Sequence, residues 1–578
     1  MLRVLHFPSH RVLSYRATNA SPLTLRSPFR QIFASTGMSE AEATGAGLKR
    51  SVDEDPSSSK RVRIESENAT PEDTPVPDAK DVEPEAKEGV EPDGGNEKGK
   101  KGGKAKGKQG KDKKAKPKGK GRRRGTRQDG SGDEGESGPK TPRLPKRQCA
   151  LLIGFCGTGC NGMQIQPNVR TIEGVLFDAL VKAGAVSQDN ADDPVKVNLG
   201  RAARTDAGVH AAGNVVSMKL ITEVPGVSDL KGRINELLPP EIRLWSILRV
   251  QNSFSARTFC DSRKYTYTFP SYVLLPPKPG SGLHKTFNLN PSGESAEPAV
   301  HPLWSSSLQE PTSREEDLEW KRRWRVDPER LQVLRDIAQR FEGSHNFHNF
   351  TVGRDFSDRS TQRFMKKVEI PDPVVHGNTE WISVLWHGQS FMLHQVRKMM
   401  SVMVLACRTG TPPQIIDELY GPRTVFVPKM PSLGLLLEYP IFDGYNRRVA
   451  PVNQGHQPGD AEYRPPIDFE VHRAEIDAFK QEFIYKGIRE IEGSDGVFDA
   501  WVRHIDSYAG GDLGYFNPKG VIPSTAVLKK GERRENPFRE KKRFDATGKA
   551  DKLIKEEEEE EASEEETLDK AKLADMEG

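Results

Sequence analysis

An α/β or α+β class, with a sheet as platform, is what the pattern of apolar residues predicts for the middle of this 578-residue chain. Three observations carry that expectation. Short apolar runs of strand length interleave with segments whose apolar residues recur at helical spacing. One run, Arg263-Lys264-Tyr265-Thr266-Tyr267-Thr268-Phe269, alternates at period two and puts Tyr265, Tyr267 and Phe269 on one face. The charged residues, 29% of the chain, are concentrated at the two ends, which leaves residues 147–518 as the foldable part, ample for a sizeable core.

Residues 1–37 hold no Asp or Glu, while Arg3, Arg11, Arg16, Arg26 and Arg30 are scattered among Ser, Thr and Leu. That is the composition of a mitochondrial transit peptide, and no apolar run is long enough for a secretory signal or a membrane span. Translation from Met38 would drop this segment. The next stretch, 38–146, carries Lys49-Arg50 and Lys60-Arg61-Val62-Arg63, two clusters spaced like a bipartite nuclear localisation signal that engages the nuclear import machinery. Within residues 98–127, twelve Lys and four Arg face the single acid Asp112, a polycation able to hold phosphates without reading sequence. The opposite end, 519–578, carries Glu556 to Glu561 and Glu564 to Glu566. Blocks of one sign stay solvated because they cannot bury enough apolar surface to offset ordering entropy, so both ends read as disordered tails.

Order begins near Gln148. Residues 150–155 read as a strand, followed by a loop punctuated by Gly154, Gly157, Gly159 and Gly162 that lacks the Gly-Lys-Ser/Thr of a Walker loop. A helix follows, with Thr171 as N-cap, Glu173 in its first turn, and Val175, Leu176, Ala179, Leu180 and Ala183 on its apolar face. Then come a loop containing Asp206, a strand over 215–220, a short helix over 230–238, and strands over 242–250 and 263–269. Residues 271–325 turn Pro-, Ser- and Gly-rich and read as an insertion between a first half, 147–270, and a second, 326–518.

The second half opens with a helix over 327–342 whose core face is Leu331, Leu334, Ile337, Ala338 and Phe341, with Gly343 at its C-terminal cap. Strands over 364–370 and 381–387 follow. A helix over 391–407 groups Leu393, Val396, Met400, Met403, Val404 and Cys407 into one stripe and sets Arg397 at its edge. An arginine keeps its proton, so Arg397 against a core demands an acceptor, most simply a carboxylate. A strand over 433–439 and a helix over 469–488, the latter a candidate RNA-contacting arm, complete the chain.

The five cysteines, at 149, 156, 160, 260 and 407, form no disulfide framework for a chain this long and imply a reducing compartment. Cys156 and Cys160 leave room for a structural zinc site only with distant ligands. His210, His345 and His394 read as structural or RNA-facing, and Tyr267 as core.

The stretch Arg204-Thr205-Asp206-Ala207-Gly208-Val209-His210 resembles the signature of the TruA family of tRNA pseudouridine synthases. The resemblance continues in order through Phe254-Ser-Ala-Arg257, Arg263-Lys-Tyr265-Thr-Tyr267, Phe391-Met-Leu-His394-Gln-Val-Arg397 and Pro431-Ser-Leu433-Gly434-Leu435. Arg201-Ala-Ala203 and residues 433–443 are similar to the eukaryotic multisite branch, although Ala207 stands where that branch often has Lys. The resemblance implies a two-lobed catalytic domain with a mixed, largely antiparallel sheet and flanking helices. It implies a cofactor-free isomerisation: the bond from ribose to N1 of uracil breaks, the base rotates, and C5 takes the place of N1.

By the same resemblance Asp206 reacts, either at C1′ of the ribose or by removing the C2′ proton to give a glycal. Arg397 favours its ionised form, Tyr265 lies on the uracil face as a proton mover at C5, and Arg204 fills the space left by a flipped nucleotide. His210 and Arg257 are expected to bind substrate. The expected partners are tRNA, with small nuclear RNA and messenger RNA as further substrates, acted on by a monomer in the nucleus and in a mitochondrial form. A non-catalytic RNA-binding protein or tRNA folding chaperone on the same scaffold is the competing reading, and an RNA-guided ribosomal RNA modifier a more distant one.

Overall fold

Alternation in the sequence becomes a ten-stranded sheet in the computed structural model, which describes residues 144–288, 304, 313–529, 531–532 and 534–538. The expected transit segment, localisation signal and Glu-rich tail lie outside the described residues. The strands are β1 (Lys146–Phe155), β2 (Gly200–Arg201), β3 (His210–Ile221), β4 (Ile242–Arg249), β5 (Ser262–Pro270), β6 (Gly343–Asn346), β7 (Gln362–Glu369), β8 (Val374–His376), β9 (Thr379–Gly388) and β10 (Leu435–Ile441). Their order is β4-β1-β3-β10-β5-β9-β7-β6, with β2 added to β3 and β8 to β9. Every pairing is antiparallel except β10 with β3, which is parallel at Leu436–His210 and Leu437–Ala211. The late strand β10 therefore enters between two early ones, and the halves of the chain share one sheet.

Helix α1 (Ile172–Lys182) starts as its cap dictates, the Thr171 side chain accepting from Gly174 N. Asp229 caps α2 (Leu230–Leu237) in the same way. Past β5, a 3-10 turn (Ser271–Leu274) and the helices α3 (Gly282–Asn288) and α4 (Arg314–Arg323) follow. Tyr272, Val273, Leu274, Leu283 and Leu318, from within the Pro/Ser/Gly-rich stretch, are all buried. Asp327 caps α5 (Pro328–Gln339). This helix stops short of the expected residue 342, and Gly343, at φ 104°, begins β6 instead of capping.

The central helix α6 (Gln395–Thr409) starts four residues later than its apolar spacing predicts, because His394 takes a left-handed conformation at φ 58° that a helix cannot include. All fifteen of its residues are buried. A single stripe is thus too modest a description, and its buried charges are matched: Lys398 donates to Thr351 O at 2.7 Å, and Arg408 bonds both oxygens of Asp506 at 2.8 Å.

Beyond α7 (Ile415–Leu419) and α8 (Asp443–Asn453), the expected helix over 469–488 is a broken rod: a 3-10 turn (Glu470–His472), α9 (Arg473–Phe479), a π-helical turn (Lys480–Tyr485) and α10 (Lys486–Asp495). Its inner residues Phe469, Ile476, Phe479, Ile484 and Ile488 are buried against the sheet, with Phe479 edge-on to Trp245 at 5.5 Å. The amphipathic helix α11 (Val497–Ser507) was not anticipated, although Trp501, Val502 and Ile505 form a clear apolar face. Its Asp506 is the partner of Arg408 on α6.

Candidate active site

The loop before β3 is over-determined. Ala202 N bonds Val215 O at 2.8 Å, the Asn214 side chain accepts from Ala203 N and donates to Ala203 O, and buried Arg263 donates twice to Ala202 O. On its other side the glycine loop after β1 holds it: Met163 N bonds Thr205 O at 3.1 Å and Gly208 N bonds Cys160 O at 3.3 Å. Gly162, at φ 75°, packs so closely that a Cβ there would stand 2.7 Å from Thr205 O. Buried Glu173 ties the two loops together, pairing with Arg201 and accepting from Ile165 N.

This frame presents Asp206, whose side chain is 24% exposed, at the head of β3. Three basic side chains from distant parts of the chain surround it. His394 Nδ1 lies 2.8 Å from Asp206 Oδ2, Arg397 Nη1 lies 3.7 Å from the same oxygen, and Lys429 adds its charge. Burial alone pushes the carboxyl up, but His394, by the charge it has when protonated and by its hydrogen bond, then Arg397 and Lys429, outweigh it and hold Asp206 well below the usual carboxylate range. Arg397, 4% exposed, is aimed by its Nε donating to Met430 O at 2.7 Å. The left-handed backbone of His394, costly by about 1–3 kcal/mol for a non-glycine residue, turns its ring onto Asp206.

Tyr265, from β5, closes the far wall. Its ring packs edge-on against Phe391 at 4.9 Å, and burial, with the negative Asp206 adding to it, pushes its hydroxyl up to about 12. Arg204, Thr205, Asp206, Arg263, Tyr265, Phe391 and His394 line a cavity of 60 Å³. That is small beside the roughly 300–1,000 Å³ of ligand pockets. A larger cleft of 740 Å³, lined by Thr266, Arg335, Glu369 and Leu385 among others, contains none of the residues around Asp206.

A family model described as tRNA pseudouridine synthase matches residues 337–443. The chain is 41% identical over 416 residues to tRNA pseudouridine synthase 1 of Candida glabrata, covering 65% of this chain and 73% of that one. The Saccharomyces cerevisiae protein of the same name is 40% identical over 421 residues, covering 65% and 74%. The chain belongs to the TruA family of tRNA pseudouridine synthases. It is also 35% identical over 388 residues to the tRNA pseudouridine(27/28) synthase of Saccharomyces cerevisiae, covering 62% of this chain and 99% of that one. As a pseudouridine synthase the protein is an isomerase, and its family acts without a cofactor.

Of the residues singled out in this synthase from sequence, Arg204, Asp206, Tyr265 and Arg397 converge on one site. Arg257 is exposed on the loop between β4 and β5. His210 requires a correction. It is 1% exposed, Gly157 N bonds its Nδ1 at 3.2 Å, and its Nε2 bonds Leu433 O at 3.2 Å, so both ring nitrogens are spent on backbone and none is left for RNA. Tyr267 is core, its hydroxyl donating to Pro431 O at 2.6 Å. Arg397, Tyr267 and His210 thereby pin the segment from Met430 to Leu433. His394 and Lys429 were not singled out as site residues, and the one local signal for His394 was its place three residues before Arg397. Among the described residues no group of three His, Cys, Asp or Glu is arranged to hold a metal ion.

Proposed function

We propose that Asp206 is the reacting carboxylate of a tRNA pseudouridine synthase that modifies several uridines per substrate set. The observation that carries this is an ionised carboxylate, held far below its normal range, in a pocket that Tyr265 also lines and with Arg397 3.7 Å behind it. An ionised, positioned carboxylate is what either route requires: attack on C1′, or removal of the C2′ proton. Tyr265 forms the wall against which uracil stacks, and its hydroxyl, pushed up to about 12, stays protonated at neutral pH and acts as a donor. Arg204, at the pocket rim, takes the place of the flipped nucleotide, offsetting an unstacking cost of a few kcal/mol. Arg257, exposed nearby in sequence to β5, contacts RNA phosphate.

The names of the relatives support tRNA as substrate, and the 27/28 synthase supports action at more than one position. Small nuclear RNA and messenger RNA remain part of the proposal as further substrates, as do monomeric action and residence in nucleus and mitochondria. The basic clusters within residues 38–146 support nuclear import and a non-specific hold on RNA.

The test incubates the protein and Asp206→Ala with unmodified tRNA transcript and maps pseudouridine at base resolution. The proposal expects product from the parent and none from a variant that still binds tRNA. Tight binding by both proteins without product from either, on any RNA, would replace it with the chaperone reading.

A further inference from the structure

Removal of the C5 proton, which the family resemblance leads one to expect of Tyr265, needs a base that a protonated phenol does not supply. In either route Asp206 is occupied with the ribose, bonded to C1′ or shuttling the C2′ proton. Once C5 has bonded to C1′ it still carries its hydrogen, and the ring holds a C6=N1 double bond. A base must take that hydrogen. Asp206, depressed by its cations, is a weak one, and the Tyr265 hydroxyl is already protonated.

We infer that His394 is the general base that removes the C5 proton. This rests on the reading of Asp206 as the reacting carboxylate. An ionised Asp206 is an acceptor only, so Nδ1 is the protonated nitrogen in the 2.8 Å contact, and it is the ring without a second proton that acts as the base. Nε2 then carries the lone pair, and it has no hydrogen-bond partner among the described residues. The ring, 15% exposed, lines the cavity that holds Asp206 and Tyr265. The left-handed backbone at His394 keeps it there, at the head of α6. In the step itself the C5–H bond breaks and its proton goes to Nε2. The electron pair forms C5=C6, the former C6=N1 pair moves onto N1, and N1 receives a proton from Nε2 directly or through water. Hydrogens balance and His394 ends neutral.

The experiment measures single-turnover rates on tRNA whose target uridine carries either hydrogen or deuterium at C5. Parent, His394→Asn, His394→Ala and Asp206→Ala are compared, with tRNA affinity and thermal unfolding of each. The amide nitrogen of Asn, bonded to Cγ as Nδ1 is, still donates to Asp206 Oδ2 but Asn is no base, so it separates base from positioning. The inference expects His394→Asn to bind tRNA as the parent does, to slow by about 10²-fold or more, and to show a several-fold deuterium effect that the parent lacks. Added imidazole restores part of the rate of His394→Ala. An Asn variant within threefold of the parent, or one that is slow with no deuterium effect, overturns the inference and leaves His394 as a holder of Asp206. Full activity in Asp206→Ala would instead remove the reading beneath it.

Discussion

Replacing Arg397 with Met removes a buried cation 3.7 Å from the Asp206 carboxylate while keeping the volume of the stem. At an effective dielectric of about 20 the attraction at that distance is about 4.5 kcal/mol, about three decades in the acidity at which the carboxylate protonates. His394 and Lys429 remain and recover part of it, so the rate loss is expected to be small at neutral pH and to grow toward about 10²-fold as pH falls through the ordinary carboxylate range, with tRNA affinity unchanged. The sign with pH is fixed by the same geometry. Arg397 helps hold the carboxyl below its usual range, so its loss raises that value, and the variant's rate falls off at a higher pH on acidification than the parent's. Met430 O loses its Nε donor, a cost of about 1–3 kcal/mol in stability that denaturant unfolding reads separately. Arg397→Lys keeps the charge but not the fork that reaches Asp206 and Met430 together, and falls between. A Met variant within threefold of the parent, with the same acid limb, would refute the claim that Arg397 sets the ionisation of Asp206.

Two further outcomes follow, one from the frame around the site and one from the core away from it. Gly162→Ala places a methyl 2.7 Å from Thr205 O at φ 75°, so it pushes the Asp206 loop; turnover should drop at least about tenfold while unfolding free energy changes by about 1–3 kcal/mol, and equal turnover would mean the loop tolerates displacement. On α10, buried Glu492 accepts from the Tyr272 hydroxyl and from Phe498 N, and its burial pushes it up from its ordinary 4.5 to about 7. A carboxyl raised in the fold contributes stability that is complete below its unfolded value and is lost as pH rises through about 7, here about 3 kcal/mol. Glu492→Gln should flatten unfolding free energy between pH 5 and pH 8, read by urea titration, and an unchanged slope would show that Glu492 is ionised throughout.

The sequence by itself determined what depends on near neighbours. Period-two alternation set β5, cap residues at Thr171, Asp229 and Asp327 sit where helices start, and the demand of Arg397 for a carboxylate follows from a charge that cannot be lost. The spaced motif blocks named the family and put Arg204, Asp206, Tyr265 and Arg397 in one functional set. Periodicity reports the average side of an element, however, not how many neighbours cover it. For that reason α6 read as striped although it is buried all round, and His210 read as a substrate contact although two backbone segments consume its ring. The insertion of β10 between β3 and β5 is a pairing between distant segments, which local pattern does not encode. The pairing of His394 with Asp206 spans 188 residues and depends on one left-handed backbone angle. Only the assembly of the sheet, with α6 buried in the core, decided that this histidine would stand beside Asp206.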